Sequence, residues 1–345
     1  MVCAGGSTGG RNPRAGCIRC NGISAIDWMI TIFEREYRVS LNSCSEGSPI
    51  PLGGSLRLDF SQAVPLYLEL SKFGISSMVT VSVATGYLVA DGRANWSLVA
   101  SLIGSLMLAC GAGALNQIQE QRIDSLMERT RRRPLPTGRI TVKTATLFTI
   151  LLIGLGSFVL YLGCGWVSFL LGLLALLWYN GIYTYLKRVT AYAVIPGAFI
   201  GAIPPVIGWA ATGRSILEWP ILGLALFLFV WQIPHFWLLL LRSGKDYERA
   251  GLPSLTDRMT PRQLGVTTFL GIIATVACSL ILPALGSVSS RWIAMLIAGA
   301  SAVLLLRSVN LLKPNPGTLA FRGVFILINI YALAVMLLMV TDHLI

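Results

Sequence analysis

Residues 96–116 read Trp96-Ser-Leu-Val-Ala-Ser-Leu-Ile-Gly-Ser-Leu-Met-Leu-Ala-Cys110-Gly-Ala-Gly-Ala-Leu-Asn116, and the chain continues Gln-Ile-Gln-Glu120-Gln-Arg122-Ile-Asp124-Ser-Leu-Met-Glu128-Arg129-Thr130-Arg-Arg-Arg133-Pro134-Leu135. The first part carries no charge. Its length matches a bilayer, whose hydrocarbon core of about 30 Å takes about 20 residues of helix to cross. The second part turns abruptly to acids and then to arginines. Asn116, Glu120 and Asp124 are spaced i, i+4, i+8, so a helix continuing past the apolar run would carry all three oxygen-bearing side chains on one face.

Working outward, apolar runs of the same kind recur near 73–91, 142–162, 164–184, 191–211, 219–241, 264–284, 290–310 and 319–341. With 96–116 that makes nine expected spans of an all-α membrane bundle. Composition agrees: of 345 residues 54% are hydrophobic and 12% charged, with mean hydropathy +0.71. A soluble domain carries about 25% charged residues, so an ordinary globular enzyme, a disordered chain and a coiled coil are excluded. Gly197, Gly201, Pro204, Pro205 and Gly208 interrupt the fifth run, which bundled helices tolerate because neighbours re-satisfy the backbone.

The formal charge is +12, and its placement reads as topology rather than as nucleic-acid binding. Seventeen basic residues fall in the loops after the second, fourth, sixth and eighth runs, against Arg93, Arg214 and Arg291 in the alternate loops. The positive-inside rule then puts the basic loops and the N-terminus inside and the C-terminus outside.

Residues 1–70 are expected to form a poorly ordered cytoplasmic extension, with 71–345 as the membrane domain. A misassigned start or a mitochondrial-type presequence over 1–26 are the alternatives. Cys17-x-x-Cys20 has metal-ligand spacing, but no second pair follows it.

The acids are scarce and gathered. Glu120, Asp124 and Glu128 lie in one basic loop, and Asp246, Glu248 and Asp257 in another on the same expected face. Positive-inside topology gives carboxylates no reason to collect there. A hard divalent cation does: Mg2+ takes oxygen ligands and is commonly held by one or two carboxylates plus substrate phosphates. Nearby arginines and lysines would then meet phosphate oxygens.

The segment from Asn116 to Leu135 resembles the first Asp-rich motif of the UbiA-type intramembrane prenyltransferases, and its D-x-x-M-x-R-T-x-x-R-P-L pattern is similar to that of the heme O synthases among them. Three further stretches carry the likeness in order: Tyr183-Thr-Tyr-Leu-Lys187-Arg188-Val-Thr190; Gly201-Ala-Ile-Pro204-Pro205-Val-Ile-Gly208-Trp209; and Trp231-Gln232-Ile-Pro234-His235-Phe236 followed by Lys245-Asp246-Tyr247 and Ala250-Gly251-Leu-Pro253. The likeness covers about residues 72–341. One departure stands out: the middle acid of the first motif, usually Asp, is Glu120, whose carboxylate reaches one methylene further.

The resemblance implies a UbiA-like bundle that transfers the farnesyl group of farnesyl diphosphate to a vinyl group of heme b, with Mg2+ as cofactor. It implies Asn116, Glu120, Asp124 and Asp246 as the catalytic metal-binding set. It implies Arg129, Arg133, Lys187 and Arg188 as diphosphate contacts. His235 lies inside a spanning run, where an ionisable residue is a functional candidate by default; it is a heme-binding candidate, with a hydrogen-bonded packing role between helices or a place at the diphosphate end as the alternatives.

Heme b and farnesyl diphosphate are thus the expected substrates and the lipid bilayer the medium, with no nucleic-acid partner. A homo-oligomer, or contact with a heme A synthase or oxidase assembly factors, is the expected association. The expected location is the bacterial cytoplasmic membrane with the active site toward the cytoplasm, ahead of the mitochondrial inner membrane. The competing readings are a UbiA-type enzyme acting on an aromatic or lipid acceptor, and a secondary transporter of an anion.

Overall fold

The computed structural model describes residues 60–90, 93–313 and 318–344. The side chains of 60–62, 241–249, 257, 318 and 319 fall outside the described residues, as do the Cys17/Cys20 pair and the expected extension up to residue 59. The described chain is helical throughout and contains no strand: α1 (Phe60–Leu70), α2 (Phe73–Val89), α3 (Trp96–Leu126), α4 (Val142–Leu176), α5 (Val194–Ala210), α6 (Trp219–Arg249), α7 (Pro261–Ile281), α8 (Arg291–Ser308) and α9 (Thr318–Leu344). Seven helical stretches are long and apolar enough to cross a membrane, or eight if the bent pair Ala63–Leu70 and Phe73–Val89 forms one span.

Local chemistry fixes where these helices begin. Asn95 Oδ1 accepts from the amides of Ser97 (2.9 Å) and Leu98 (3.3 Å) to cap α3, and also from Tyr87 Oη at 2.8 Å, which ties the end of α2 to the start of α3. Thr260 and Gln263 form a reciprocal capping box at α7, with Pro261 in its first turn. At α8 the carboxylate of Asp342, brought from α9, accepts from the amides of Ser289 (2.6 Å) and Ser290 (2.8 Å).

Two of the nine apolar runs, 142–162 and 164–184, merge into one helical stretch, Val142–Leu186, of 45 residues. It is broken at Gly165 (φ 81, ψ 178), a conformation only glycine adopts cheaply. The contacts on either side of the break run in opposite senses along α3. Before it, Ile153 faces Gly111, Gly156 faces Gly104, and Cys164 Sγ lies 3.5 Å from the Ser97 carbonyl. After it, Gly172 faces Leu108 and Asn180 Nδ2 donates to the Ala112 carbonyl at 3.1 Å. The stretch closes with a π-helical turn, Leu177–Tyr183, and a last α turn, Thr184–Leu186.

Residues 60–70, inside the expected extension, form α1. Leu66 and Leu70 are buried against Ala114, Leu135, Ile140 and Ala145, and α1 meets α2 at a 60° bend over Ser71 and Lys72. Beyond it, α2 packs on α3, α5 and α9, while α6 packs on α5, α7 and α9.

Lipid is as apolar as leucine, so close packing rather than water exclusion holds such helices together. Small residues make it possible. A Cβ on Gly86 would lie 1.9 Å from the Pro205 carbonyl oxygen, and one on Gly208 would lie 1.9 Å from that of Val83. Both obstacles are backbone, which cannot swing away.

Gly208→Ala should therefore prise α2 from α5 at a cost of about 3 kcal/mol, the upper range for overpacking. Gly154→Ala, with open space around its Cβ, should leave stability unchanged or slightly raised. Thermal unfolding in detergent compares the two, and a wild-type midpoint for G208A would refute the close α2–α5 crossing.

Candidate active site

At about 1.5 Å per residue the 31-residue α3 outruns a 30 Å hydrocarbon layer by several turns. Those last turns carry Asn116, Glu120 and Asp124, all buried at 0%, 5% and 3% exposure, whereas Arg122 and Ser125 between and beyond them are exposed. The i, i+4, i+8 spacing does set one face inward. Burying carboxylates costs several kcal/mol per ion unless each is paired, and each here has a cation.

Asp124 takes Arg133. The Nη1 of Arg133 donates to Oδ1 at 3.0 Å and Oδ2 at 2.9 Å. The loop returns to make this possible: Thr130 Oγ1 donates to the Asp124 carbonyl (2.9 Å) and Gln121 Nε2 to the Leu135 carbonyl (3.3 Å). Glu120 takes Lys187, whose Nζ is 2.7 Å from each carboxylate oxygen but points its hydrogen bond at Oε2. Glu120 Oε1 is left buried with no hydrogen bond.

Asn116 takes Lys72, from the bend between α1 and α2. Lys72 Nζ donates to Asn116 Oδ1 at 2.6 Å and to Tyr179 Oη at 3.4 Å. Asn116 Nδ2 in turn donates to Thr184 Oγ1 at 3.0 Å, which itself donates to the Tyr179 carbonyl. Three cations thus face two carboxylates among the described side chains, an arrangement complementary to an added anion.

The π-helical turn supplies the rest of the wall. Such turns recur at functional sites because they re-aim side chains within a helix. Here Tyr179 and Tyr183 stack at 6.0 Å between ring centroids, and Tyr183 stacks on Phe236 of α6 at 6.3 Å. Asn180 Nδ2 also donates to Gln119 Oε1 at 3.1 Å, locking the turn to α3.

The expected site residues divide accordingly. Asn116, Glu120, Asp124, Arg133 and Lys187 converge. Arg188 lies beside them but donates from Nη2 to the Gln119 carbonyl (2.9 Å), stacks over Tyr185, and keeps Nε buried without a hydrogen bond. Arg129 is exposed, with no ion pair or hydrogen bond among the described residues. Asp246 lies in the last turns of α6, but its side chain is outside the described residues. His235 sits earlier in α6 among Trp231 (4.9 Å), Phe325 (5.1 Å) and Phe236 (5.7 Å), its Nδ1 buried without a hydrogen bond.

Lys72, Gln117, Gln119, Tyr179, Asn180 and Thr184 are additions that the sequence patterns miss. Asn180 carried a signal, being an amide within an apolar run, where a polar group must find a partner. Lys72 carried none.

The donor set fits a hard cation. Asn116 Oδ1, both Asp124 oxygens and Glu120 Oε1, which accepts no hydrogen bond, are oxygen donors on one face, of the type that Mg2+ takes. Among the described residues no three His, Cys, Asp or Glu side chains gather into a metal site, and the described part of this face offers two carboxylates and an amide.

Residues 77–338 match the model of the UbiA prenyltransferase family. Among known proteins, the chain is 43% identical to the protoheme IX farnesyltransferase of Geobacter sulfurreducens, over 62% of this chain and 80% of that one. It is 34% identical to the protein of the same description from Oleidesulfovibrio alaskensis, over 80% and 96%. Its fold resembles that of a solved digeranylgeranylglyceryl phosphate synthase (TM-score 0.67, 18% identity, covering 81% and 98%). It also resembles a UbiA homolog from Archaeoglobus fulgidus bound to GPP and Mg2+ (TM-score 0.55, 14% identity, covering 79% and 99%).

Truncating one member of a buried ion pair costs roughly 3–5 kcal/mol because the other charge is left unpaired. Arg133→Met should cost about 3 kcal/mol in thermal unfolding, and the double variant Arg133→Met/Asp124→Asn much less. Equal losses in the two would show that Arg133 and Asp124 do not act as one buried unit.

Proposed function

The chain belongs to the UbiA prenyltransferase family, and on that premise we propose that it transfers the farnesyl group of farnesyl diphosphate to a vinyl group of heme b, giving heme O. The observation that carries the choice of substrates is the 43% identity to a protein described as a protoheme IX farnesyltransferase. The site agrees with it: an oxygen-lined, cation-rich end for a diphosphate, continued by a stack of aromatic rings toward His235.

On this reading Asn116, Glu120, Asp124 and Asp246 hold Mg2+, which when bound neutralises charge developing on the diphosphate as it leaves. Arg133 and Lys187 turn from their carboxylates to diphosphate oxygens, with Arg188 and Arg129 as further contacts from the rim. The Tyr179, Tyr183 and Phe236 rings shield the allylic carbon from water, so that the heme vinyl group rather than solvent meets it. His235 faces the heme, as iron ligand or porphyrin contact. Glu120 reaches a methylene further than an aspartate would, and its Oε1, ion-paired with Lys187 but accepting no hydrogen bond, would serve the metal once Lys187 turns away.

The same reading takes the bundle to nine spans, N-terminus inside and C-terminus outside, in a bacterial cytoplasmic membrane with the site toward the cytoplasm. The 45-residue stretch Val142–Leu186, broken at Gly165, supports two crossings there, since about 20 residues suffice for one. The 17-residue α2 supplies another in company with α1. Residues 71–345 together with α1 are the membrane domain, with association to itself or to a heme A synthase or oxidase assembly factors.

Incubating the purified protein with heme b, farnesyl diphosphate and Mg2+ should yield a farnesylated heme by mass spectrometry. Prenylated 4-hydroxybenzoate with no farnesylated heme would sink the proposal. Asp124→Asn should lower turnover by at least about 100-fold, the scale of losing one group that stabilises transition-state charge. His235→Phe should weaken heme binding, read from the heme absorbance titration, while leaving farnesyl diphosphate binding intact.

A further inference from the structure

Lys72 is the one residue other than glycine with positive φ (50°) among the described residues, a conformation that lysine adopts only when its surroundings impose it. The surroundings do so from three sides. Gln117 Nε2 donates to the Glu69 and Leu70 carbonyls at 2.8 and 3.0 Å, and Ser76 Oγ donates to the Ser71 carbonyl at 3.2 Å. Gly113 lets α3 approach so closely that a Cβ there would lie 2.8 Å from the Ser71 carbonyl oxygen. Gln117 is the neighbour of Asn116, so the helix bearing the oxygen face also clamps the turn that delivers Lys72 to it.

The product of this clamp is the Lys72 side-chain nitrogen 2.6 Å from Asn116 Oδ1, on the same face that holds Glu120 with Lys187 and Asp124 with Arg133. Each oxygen group of the face therefore carries a resident cation: Lys72 on Asn116, Lys187 on Glu120 and Arg133 on Asp124. A bare divalent ion entering here must displace all three from the oxygens they hold. A diphosphate removes that obstacle, because the displaced cations gain phosphate oxygens.

We propose that Lys72 is a resident counter-ion that keeps bare divalent metal off Asn116 until a diphosphate arrives, and then moves its ammonium onto the diphosphate. This rests on the assignment of Asn116, Glu120 and Asp124 as metal ligands. Its consequence is a coupling between two ligands: each is bound weakly alone and tightly with the other, and Lys72 is a principal source of the coupling. Removing it has opposite effects on the two, which loss of an ordinary binding residue would not produce.

The test is binding, read without turnover. Mn2+ binding to the full chain in detergent is followed by electron paramagnetic resonance, with and without inorganic diphosphate, for wild type, Lys72→Asn and Lys72→Met. Asparagine tolerates the left-handed turn best and is too short to reach Asn116; methionine keeps the length and serves if the asparagine variant does not fold. The expected result is that either variant binds bare Mn2+ about tenfold more tightly than wild type, while the tightening caused by diphosphate shrinks by a similar factor. Bare-metal affinity equal to or below wild type, in variants that remain monodisperse, overturns the proposal. Asp124→Asn separates the two levels: if it leaves Mn2+ binding untouched, the ligand assignment has failed, whereas lost binding in D124N with unchanged K72N and K72M condemns the role of Lys72 alone.

Discussion

Two carboxylates buried at the end of a membrane helix cannot stand uncompensated, and much of the described structure at this end of the bundle answers that demand. An unpaired carboxylate in such a place would take up a proton and lose its charge. Asp124 is paired because the loop after α3 doubles back to deliver Arg133, and Glu120 because the chain returns from Gly165 to deliver Lys187. The α1 helix, the π-helical turn and the loop after α3 all converge on one short face of α3. The glycine contacts that let α2, α3, α4 and α5 approach each other set how closely these pieces can meet.

How far this could be read from sequence follows from how each residue reaches the site. The face of Asn116, Glu120 and Asp124 was legible because helical periodicity alone sets it, and the structure buries all three. Arg133 and Lys187 were legible through a motif, since nothing in their spacing says which of several loop arginines turns inward; Arg129, four residues from Arg133, stays exposed. Lys72 was not legible, because it arrives through a left-handed turn held by tertiary contacts from Gln117, Ser76 and Gly113. No periodic pattern encodes such a turn. Gly165 shows the reverse case: two apolar runs were distinct in sequence, yet their backbone is almost continuously helical and a single glycine carries the change of direction.

The proposed chemistry asks the bundle for two incompatible environments within one ligand's length: charge and hard oxygen for the diphosphate, and dry, apolar walls for a farnesyl chain and a porphyrin. The described residues resolve this by grading polarity along one path. Lys72 donates to the Tyr179 hydroxyl, so that ring is polar at its edge and apolar on its face. Tyr183 and Phe236 continue the stack at 6.0 and 6.3 Å, and His235 follows among Trp231 and Phe325. A tyrosine has the amphipathic shape for that boundary, since it buries a large ring while its hydroxyl keeps a partner. The π-helical turn places Tyr179 and Tyr183 together at this boundary. On the proposed reading, the allylic carbon of the prenyl group comes to rest where the polar path gives way to the apolar one, so that the leaving group departs into charge and the carbon left behind faces rings.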